Sequence, residues 1–309
     1  MLIFDGHLDL AMNAIEWNRD YTRPLAEVRQ REQGLTDKRD RGQNVLTLDE
    51  MRRGQIGVCI ATQIARYVAP DNPLPGWNSP EIAWAVTQAQ LAWYRTMEEA
   101  GQMVQIVDRP GLNRLVDLWR HDPPPDAPIG YVLSLEGADS ILTPAHLERA
   151  YEDGLRAVGP AHYGPGRYAP GTAAEGGLTP LGRELLCEMR RLGIVLDATH
   201  LTDQAFWEAL DLFDGPVWAS HNNCRALVPD GRQFSDDQIR ALVERDAVIG
   251  MAFDAWMMHP GWIRGQTTPE QADLNIERIV LHIDHICQLA GNARHCGIGS
   301  DLDGGYGRE

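Results

Sequence analysis

Residues 193–200 read GIVLDATH, a short run of branched apolar residues that ends in a polar Thr-His pair. A run of this length behind a glycine is typical of a buried β-strand. The preceding stretch, TPLGRELLCEMRRL at 179–192, is amphipathic, starts with a Thr-Pro pair and stops at that glycine, as helices commonly do. A helix that leads directly into a buried strand is the repeating unit of a parallel α/β sheet.

The same unit recurs along the whole chain. The pattern predicts helices at 80–100, 179–192, 235–245 and 271–290, and eight barrel strands at 2–8, 56–63, 130–136, 155–160, 194–199, 216–220, 247–253 and 296–301. A further apolar run, VQIVD at 104–108, is placed outside the barrel. The predicted fold class is therefore α/β, a TIM-like (β/α)8 barrel that forms a single domain over residues 1–309.

Two segments look irregular. Residues 17–47 are polar and rich in arginine, and residues 160–178 are rich in glycine and proline. Each follows a predicted strand, so both are expected to be loops at the catalytic face of the barrel. The chain stops eight residues after Asp301 and shows no helix after the eighth strand, so the barrel is expected to lack its final C-terminal helix.

Charge and composition exclude several classes of partner. The formal net charge is −16, with 28 basic residues against 44 acidic ones, which argues against nucleic acid. No apolar run approaches the roughly 20 residues of a membrane helix, and the N-terminus MLIFDGHLDL lacks the basic region of a signal peptide. Five widely spaced cysteines do not suggest a disulfide framework. We expect a cytoplasmic protein with a small-molecule substrate and no membrane contact.

Chemistry-bearing side chains stand at the ends of six of the eight predicted strands. They are His7 and Asp9, Glu136, His162, His200, His221 and Asp301. The carboxyl ends of the strands meet at one face of a barrel, so residues nearly 300 positions apart would form one ring.

The ring contains a set of ligands that suits two metal ions. His7 and Asp9 are two residues apart on a strand and point to the same side, so they can ligate one ion together. His200 and His221 end adjacent strands, and Glu136 has two oxygens that two cations could share. The set gives three ligands to each of two ions and leaves room for a bridging water. Taken singly, each residue could instead be a hydrogen-bonding strand end or half of an ion pair.

Two aspartates follow the last strand. Asp301 comes directly after the apolar run and is preferred as the group that takes a proton from a metal-bound water. Asp303 fits better as a turn-forming residue among glycines. His282 and His285, three residues apart on the predicted helix 271–290, are expected on a solvated flank rather than in a metal site.

The motifs taken together resemble the renal (membrane) dipeptidase family of zinc peptidases, peptidase family M19, within the amidohydrolase-like barrels. The resemblance covers nearly the whole chain. It is carried by DGHLD at 5–9, SLEGAD at 134–139, GLTPLGRELLCEMRRLGIVLDATH at 177–200, SHNNCRAL at 220–227, GRQFSDDQIRAL at 231–242 and GIGSDLDGG at 297–305.

The resemblance implies two Zn²⁺ ions per chain and a role for each residue of the ring. By this likeness His7 and Asp9 would bind the first zinc, Glu136 and a water or hydroxide would bridge both, and His200 and His221 would bind the second. His162 would polarise the scissile carbonyl, Arg232 would hold the free carboxylate of the substrate, and Asp301 would pass the proton to the leaving amine. Lys38 is the only lysine and lies in a polar loop, so a carboxylated lysine at a strand end cannot be the bridge.

The predicted function is hydrolysis of the peptide bond of dipeptides by a zinc-activated bridging hydroxide. A homodimer is a further expectation from the family. Two alternatives stay open: another binuclear-metal amidohydrolase, acting on a cyclic amide, lactone or phosphoester, and a non-catalytic metal-binding barrel fragment. The segment MAFDAWMM at 251–258 replaces the more typical Asn-Phe-Tyr of the family, which leaves the side-chain preference undecided.

Overall fold

Parallel strands form a single sheet in the computed structural model, which describes residues 1–70, 72, 74–121 and 123–304. Nine strands occur in these residues: β1 (Ile3–Leu8), β2 (Ile56–Ile64), β3 (Met103–Gln105), β4 (Ile129–Glu136), β5 (Leu155–Gly159), β6 (Val195–Asp197), β7 (Val217–Trp218), β8 (Ile249–Met251) and β9 (Cys296–Ile298). The eight strands other than β3 follow the order β7-β6-β5-β4-β2-β1-β9-β8.

The two ends of this order meet and close the sheet into a barrel. A parallel bridge joins Ala219, just after β7, to Ile249 at the start of β8. The backbone N–H of Gly250 donates to the carbonyl of Ala219 at 2.8 Å, and the N–H of Ala219 donates to Val248 at 3.0 Å. The TIM-like (β/α)8 fold is therefore confirmed, and all eight predicted barrel strands are present.

The strand β3 lies outside the barrel order, as predicted for the run at 104–108. It pairs with the first part of β4, where Met103 is opposite Ile129. The next barrel strand, β5, pairs with the second part of β4 from Leu133 onward. The short strand β3 thus fills the space beside β4 before β5 begins.

Helices cover the outside of the barrel. In the described residues they are α1 (Leu10–Glu16), α2 (Leu25–Arg31), α3 (Leu48–Arg53), α4 (Pro80–Glu99), α5 (Arg109–Arg120), α6 (Pro144–Glu152), α7 (Pro180–Leu192), α8 (Asp203–Leu212), α9 (Asp236–Glu244), α10 (Ala255–Met258), α11 (Pro269–Ala272) and α12 (Ile279–Ala290). The predicted N-capping residues of three helices are confirmed. Ser79 and Thr179 cap α4 and α7 from their side chains, and Ser235 forms a capping box with Gln238.

Two predictions about local structure are wrong. The helix predicted at 271–290 is broken, because Asp273 adopts a left-handed conformation with φ 47° and α12 begins only at Ile279. The segment 17–47 is not only loop. It contains α2 and buries Arg19, which donates to Glu32 at 2.8 Å and to Asp40 at 2.7 Å. A buried charge needs such partners, and they give this polar segment an ordered interior.

After β9, residues 299–304 form a turn that carries Asp301 and Asp303. The expected lack of a final helix concerns residues 305–309, which lie outside the described residues. Of the helices described here, none has both the length and the apolar character needed to cross a lipid bilayer.

Candidate metal centre

Glu136 is the last residue of β4, and four imidazoles surround its carboxylate. The Nε2 atoms of His200 and His221 lie 3.1 and 3.4 Å from Glu136 Oε1. The Nε2 atom of His162 lies 3.8 Å from the same oxygen, and that of His7 lies 3.7 Å from Oε2. Because the histidines come from or directly follow β1, β5, β6 and β7, the barrel brings them together as predicted.

The other two predicted carboxylates of the ring, those of Asp9 and Asp301, also lie close to His7. Its Nε2 is 3.7 Å from Asp9 Oδ1 and 3.8 Å from Asp301 Oδ1. Every residue that the sequence placed in the ring is therefore in one cluster, and the side chains of His7, Asp9, Glu136, His200 and His221 are all at most 8 % exposed.

The donor set fits divalent metal ions. Ligand atoms lie within 4.8 Å of one another in three groups: His7, Glu136 and His221; Glu136, His162 and His200; and His7, Asp9 and Asp301. Two buried atoms in these groups, His7 Nε2 and Asp301 Oδ1, have no hydrogen-bond partner. Buried polar atoms normally have a partner, and imidazole nitrogen and carboxylate oxygen are ligands that zinc prefers.

Hydroxyl groups orient three of the imidazoles. Ser220 Oγ lies 2.9 Å from His221 Nδ1 and 3.4 Å from His7 Nδ1. Thr172 Oγ1 lies 2.9 Å from His200 Nδ1. When Nδ1 donates its proton to such an oxygen, the lone pair on Nε2 is available to a metal.

Two aspartates next to the ring hold its residues in place. Asp303 Oδ1 accepts the backbone N–H of Asp9 at 2.8 Å, and Asp5 Oδ1 accepts the N–H groups of Ser300 and His7 at 2.8 and 3.2 Å. Asp303 lies in a turn, as predicted, but it is only 3 % exposed, and the hydrogen bond that it accepts from Asp9 was not predicted. The signal that was missed is its spacing, two residues after Asp301.

Burial changes the pKa of each group in the cluster. It raises the pKa of Asp9 to about 7 and raises the pKa of Glu136 and Asp301 well above the usual range of carboxyl groups. Burial, together with the positive charge of Arg232, lowers the pKa of His7 to about 3. Neutral imidazole is the form that ligates metals, and a bound cation would favour ionised carboxylates.

A cavity of about 640 Å³ opens above the cluster. Arg232, predicted to hold the substrate carboxylate, lines its wall and is 4 % exposed. Its Nη2 donates to the carbonyl of His221 at 2.7 Å and its Nη1 donates to Asn222 Oδ1, while its Nε has no partner. Asp254, from the atypical segment 251–258, lines the same cavity, and its Oδ2 also has no partner.

The pair His282 and His285 does not belong to this centre. His282 is 1 % exposed, and its Nδ1 accepts the backbone N–H of Cys224 at 3.1 Å. His285 pairs with Asp236 at 2.8 Å. The predicted solvated flank is therefore wrong for His282, which faces the protein because α12 packs against α9.

Comparisons with known proteins agree with the geometry. The family model described as membrane dipeptidase, peptidase family M19, matches residues 1–308. An uncharacterized dipeptidase of Schizosaccharomyces pombe is 31 % identical over 57 % of this chain and 42 % of its own length. Dipeptidase tcpJ of Claviceps purpurea is 33 % identical over 53 % of this chain and 33 % of its own. The match thus spans less than half of either relative.

A solved structure has the same architecture. The crystal structure of dipeptidase AC, a metallopeptidase of family M19, superposes with a TM-score of 0.77 at 25 % identity. The superposition covers 99 % of this chain and 86 % of that one. The barrel and the arrangement of its strands are therefore shared along essentially the whole chain.

Proposed function

The chain belongs to the membrane dipeptidase family, peptidase family M19, and from this premise we propose that it is a zinc-dependent dipeptidase. One observation carries the proposal: the Nε2 atoms of four histidines surround Glu136, and two buried ligand atoms in the same cluster, His7 Nε2 and Asp301 Oδ1, have no other partner. In this proposal the substrate is a small dipeptide and the site holds two zinc ions.

The residues that would hold the metal divide into two sets that share Glu136. His7 and Asp9 would hold one zinc, and His200 and His221 would hold the other. Zinc in such a site supplies Lewis acidity and activates a water molecule as the nucleophile. The hydroxyls of Ser220 and Thr172, which face the Nδ1 atoms of these histidines, support ligation through Nε2.

Arg232 would bind the free carboxylate at the C-terminus of the dipeptide. A buried guanidinium in a cavity wall is a strong partner for a carboxylate. Two of its nitrogens are held by His221 and Asn222, so the group is fixed before the substrate arrives. A carboxylate anchor one residue beyond the cut selects dipeptides, because a longer C-terminal extension would move that charge away.

Asp301 would move the proton. Its carboxyl group is surrounded by other carboxyls, and burial together with these charges raises its pKa well above the usual range. A group in this condition can accept a proton from the attacking water and return it to the leaving amine. His162, which lies across Glu136 from His7, would donate a hydrogen bond to the carbonyl oxygen as negative charge develops on it.

The test is hydrolysis of a dipeptide panel by protein that has been stripped of metal and then reloaded with zinc. Matching N-acetylated dipeptides and dipeptide amides run alongside. We expect cleavage of the free dipeptides only, and only after reloading. Binding of two zinc ions without cleavage of any dipeptide would contradict the proposal and direct attention to cyclic amides, lactones and phosphoesters.

A further inference from the structure

Of the four histidines of the metal centre, His162 has an arginine, Arg66, next to its Nδ1 atom, whereas the other three have hydroxyl groups there. We propose that Arg66 is a positioning residue that holds His162 with its proton on Nε2, so that His162 is a hydrogen-bond donor to the substrate and not a metal ligand. The inference rests on the proposed function and deepens it, because the same cluster contains a possible ligand group with His162 in it.

The direction of the contact follows from the chemistry of arginine. Arg66 Nη2 lies 2.7 Å from His162 Nδ1. A guanidinium group has no acceptor and keeps its protons, so it must donate and Nδ1 must accept. A neutral imidazole has one proton, which therefore stands on Nε2. An Nε2 that carries a proton has no lone pair for a metal.

The other three histidines face groups of a different kind. The Nδ1 atoms of His7 and His221 face the hydroxyl of Ser220, and that of His200 faces the hydroxyl of Thr172. A hydroxyl can accept a proton from Nδ1, which leaves Nε2 free to ligate.

Hydrogen bonds hold both the backbone and the side chain of Arg66. Its carbonyl accepts the N–H of Trp77 at 2.8 Å, and its Nη1 donates to the carbonyl of Pro75 at 2.9 Å. The next residue, Tyr67, donates its N–H to Asp139 Oδ2 at 3.2 Å. Asp139 is three residues after Glu136. The same short segment therefore carries the carboxylate at the middle of the metal cluster and the carboxylate that holds the backbone next to Arg66.

Arg66 also borders the space proposed for the substrate. Arg66 and His162 both line the cavity above the cluster. A fixed donor behind the imidazole keeps Nε2 directed at this cavity, where the carbonyl of a bound dipeptide would stand. The role of Arg66 is thus to orient His162 and to set its tautomer.

The first experiment reads the tautomer directly and does not depend on activity. Zinc-loaded protein with nitrogen-15 in its histidines is studied by NMR, and the His162 signals are assigned by their loss in the His162→Gln variant. We expect an unprotonated Nδ1 and a protonated Nε2 at His162. A proton on Nδ1, or a zinc-bound Nε2, would overturn the proposal even if the protein hydrolyses dipeptides.

The second experiment removes the donor. Removal of one hydrogen-bond donor to a developing oxyanion costs about 10²- to 10³-fold in kcat. Arg66→Met leaves His162 in place but no longer oriented, so it should lower kcat by a smaller factor of about 10- to 100-fold, with two zinc ions still bound and KM little changed. Arg66→Lys, which restores one donor, should recover part of the loss. Arg95→Met is the matched control, because Arg95 also donates to a backbone carbonyl, that of Asp153, but lies outside the cavity.

The outcomes separate this proposal from the dipeptidase proposal. If Arg66→Met keeps the wild-type kcat and the wild-type His162 signals, Arg66 has no positioning role. If the wild-type protein shows the expected tautomer but cleaves no dipeptide, the assignment of Arg66 stands and the substrate is wrong. Loss of kcat together with loss of one zinc would mean that His162 is a ligand, and this too would contradict the proposal.

Discussion

The backbone carbonyl oxygen of Ser220 lies 1.8 Å from the point where a Cβ atom on Gly299 would stand. The same oxygen is 2.0 Å from the corresponding point on Gly250 and 2.9 Å from that on Gly6. Gly6 and Gly250 lie in the strands β1 and β8, and Gly299 directly follows β9, so these three glycines leave room for the carbonyl group of the residue before His221. Because no Cβ atom stands in the way of its carbonyl, the backbone of Ser220 can lie close to these glycines. In this position its hydroxyl group contacts both His221 and His7.

The first prediction concerns this glycine contact. Gly299→Ala should destabilise the protein by about 1–3 kcal/mol, the usual cost of forcing an extra carbon into a packed interior, and should reduce zinc binding because Ser220 must move. Gly297→Ala is the control two residues away, where a new Cβ meets only Val248 at 3.4 Å. Urea unfolding and metal analysis measure both effects. Equal stability of the two variants would contradict the close approach.

The second prediction concerns the carboxylate in the middle of the cluster. Glu136→Gln should lose both zinc ions and essentially all activity, because Glu136 belongs to two of the three ligand groups and an amide is a poor bridge between cations. The exposed Glu175→Gln is the control. Metal content is measured after gel filtration. Retention of two zinc ions would show that Glu136 does not bridge.

The third prediction concerns the substrate carboxylate. Arg232→Met should raise KM for dipeptides by about 10- to 100-fold, since a hydrogen bond to a charged group contributes about 1.5–3 kcal/mol. The variant should also lose its preference for dipeptides over dipeptide amides, while its zinc content stays unchanged. Arg245→Met, which removes an arginine bonded to the carbonyls of Phe213 and Gly215, is the control. An unchanged preference over the amides would remove Arg232 from carboxylate binding.

The fourth prediction separates two roles of Asp301. As the acid–base group, Asp301→Asn should lower kcat by about 10²- to 10⁴-fold with both zinc ions retained. Asp301 also stands in a possible ligand group with His7 and Asp9, and in that role the same variant would lose one zinc. Single-turnover hydrolysis and metal analysis of one preparation distinguish the two. Normal kcat would exclude both roles.

Sequence patterns were sufficient for the barrel and for the ring because both depend on short-range signals. Residues 193–200 combine a strand with the histidine at its end. His7 lies in β1, whereas Asp9 lies just beyond it as the N-cap of α1, so the two side chains meet at the mouth of the barrel and not through the period of a strand. Parallel connectivity then brings all strand ends to one face. Nothing beyond the fold class was needed to place these residues together.

The residues that sequence reasoning missed act through contacts that only packing creates. Asp303 accepts a hydrogen bond from Asp9, 294 residues away, and Arg66 reaches His162 across 96 residues. The predicted helix at 271–290 failed for a local reason. Asp273 takes a left-handed conformation, and the side chain of Asn275 caps a new helical turn inside the apolar pattern.

The last prediction concerns His282, which lies away from the metal centre. Its Nδ1 accepts the N–H of Cys224, and the pKa of His282 falls from 6.5 to about 4 because of burial and the nearby charges of His285 and Arg278. Between these two values the unfolded chain binds a proton that the folded protein does not. Stability from His282 is therefore fully present above pH 6.5 and is lost as the pH falls toward 4.

Replacing His282 removes this pH dependence and preserves the acceptor. In His282→Gln the amide oxygen can accept the N–H of Cys224, so the free energy of unfolding of the metal-free protein should depend less steeply on pH, by at most about 1.4 kcal/mol per pH unit. His121→Gln, on an exposed histidine, is the control. Urea unfolding at several pH values gives the slopes, and since the other buried groups titrate equally in both proteins, the difference between the curves isolates His282. Parallel curves would mean that His282 titrates alike in the folded and unfolded chains.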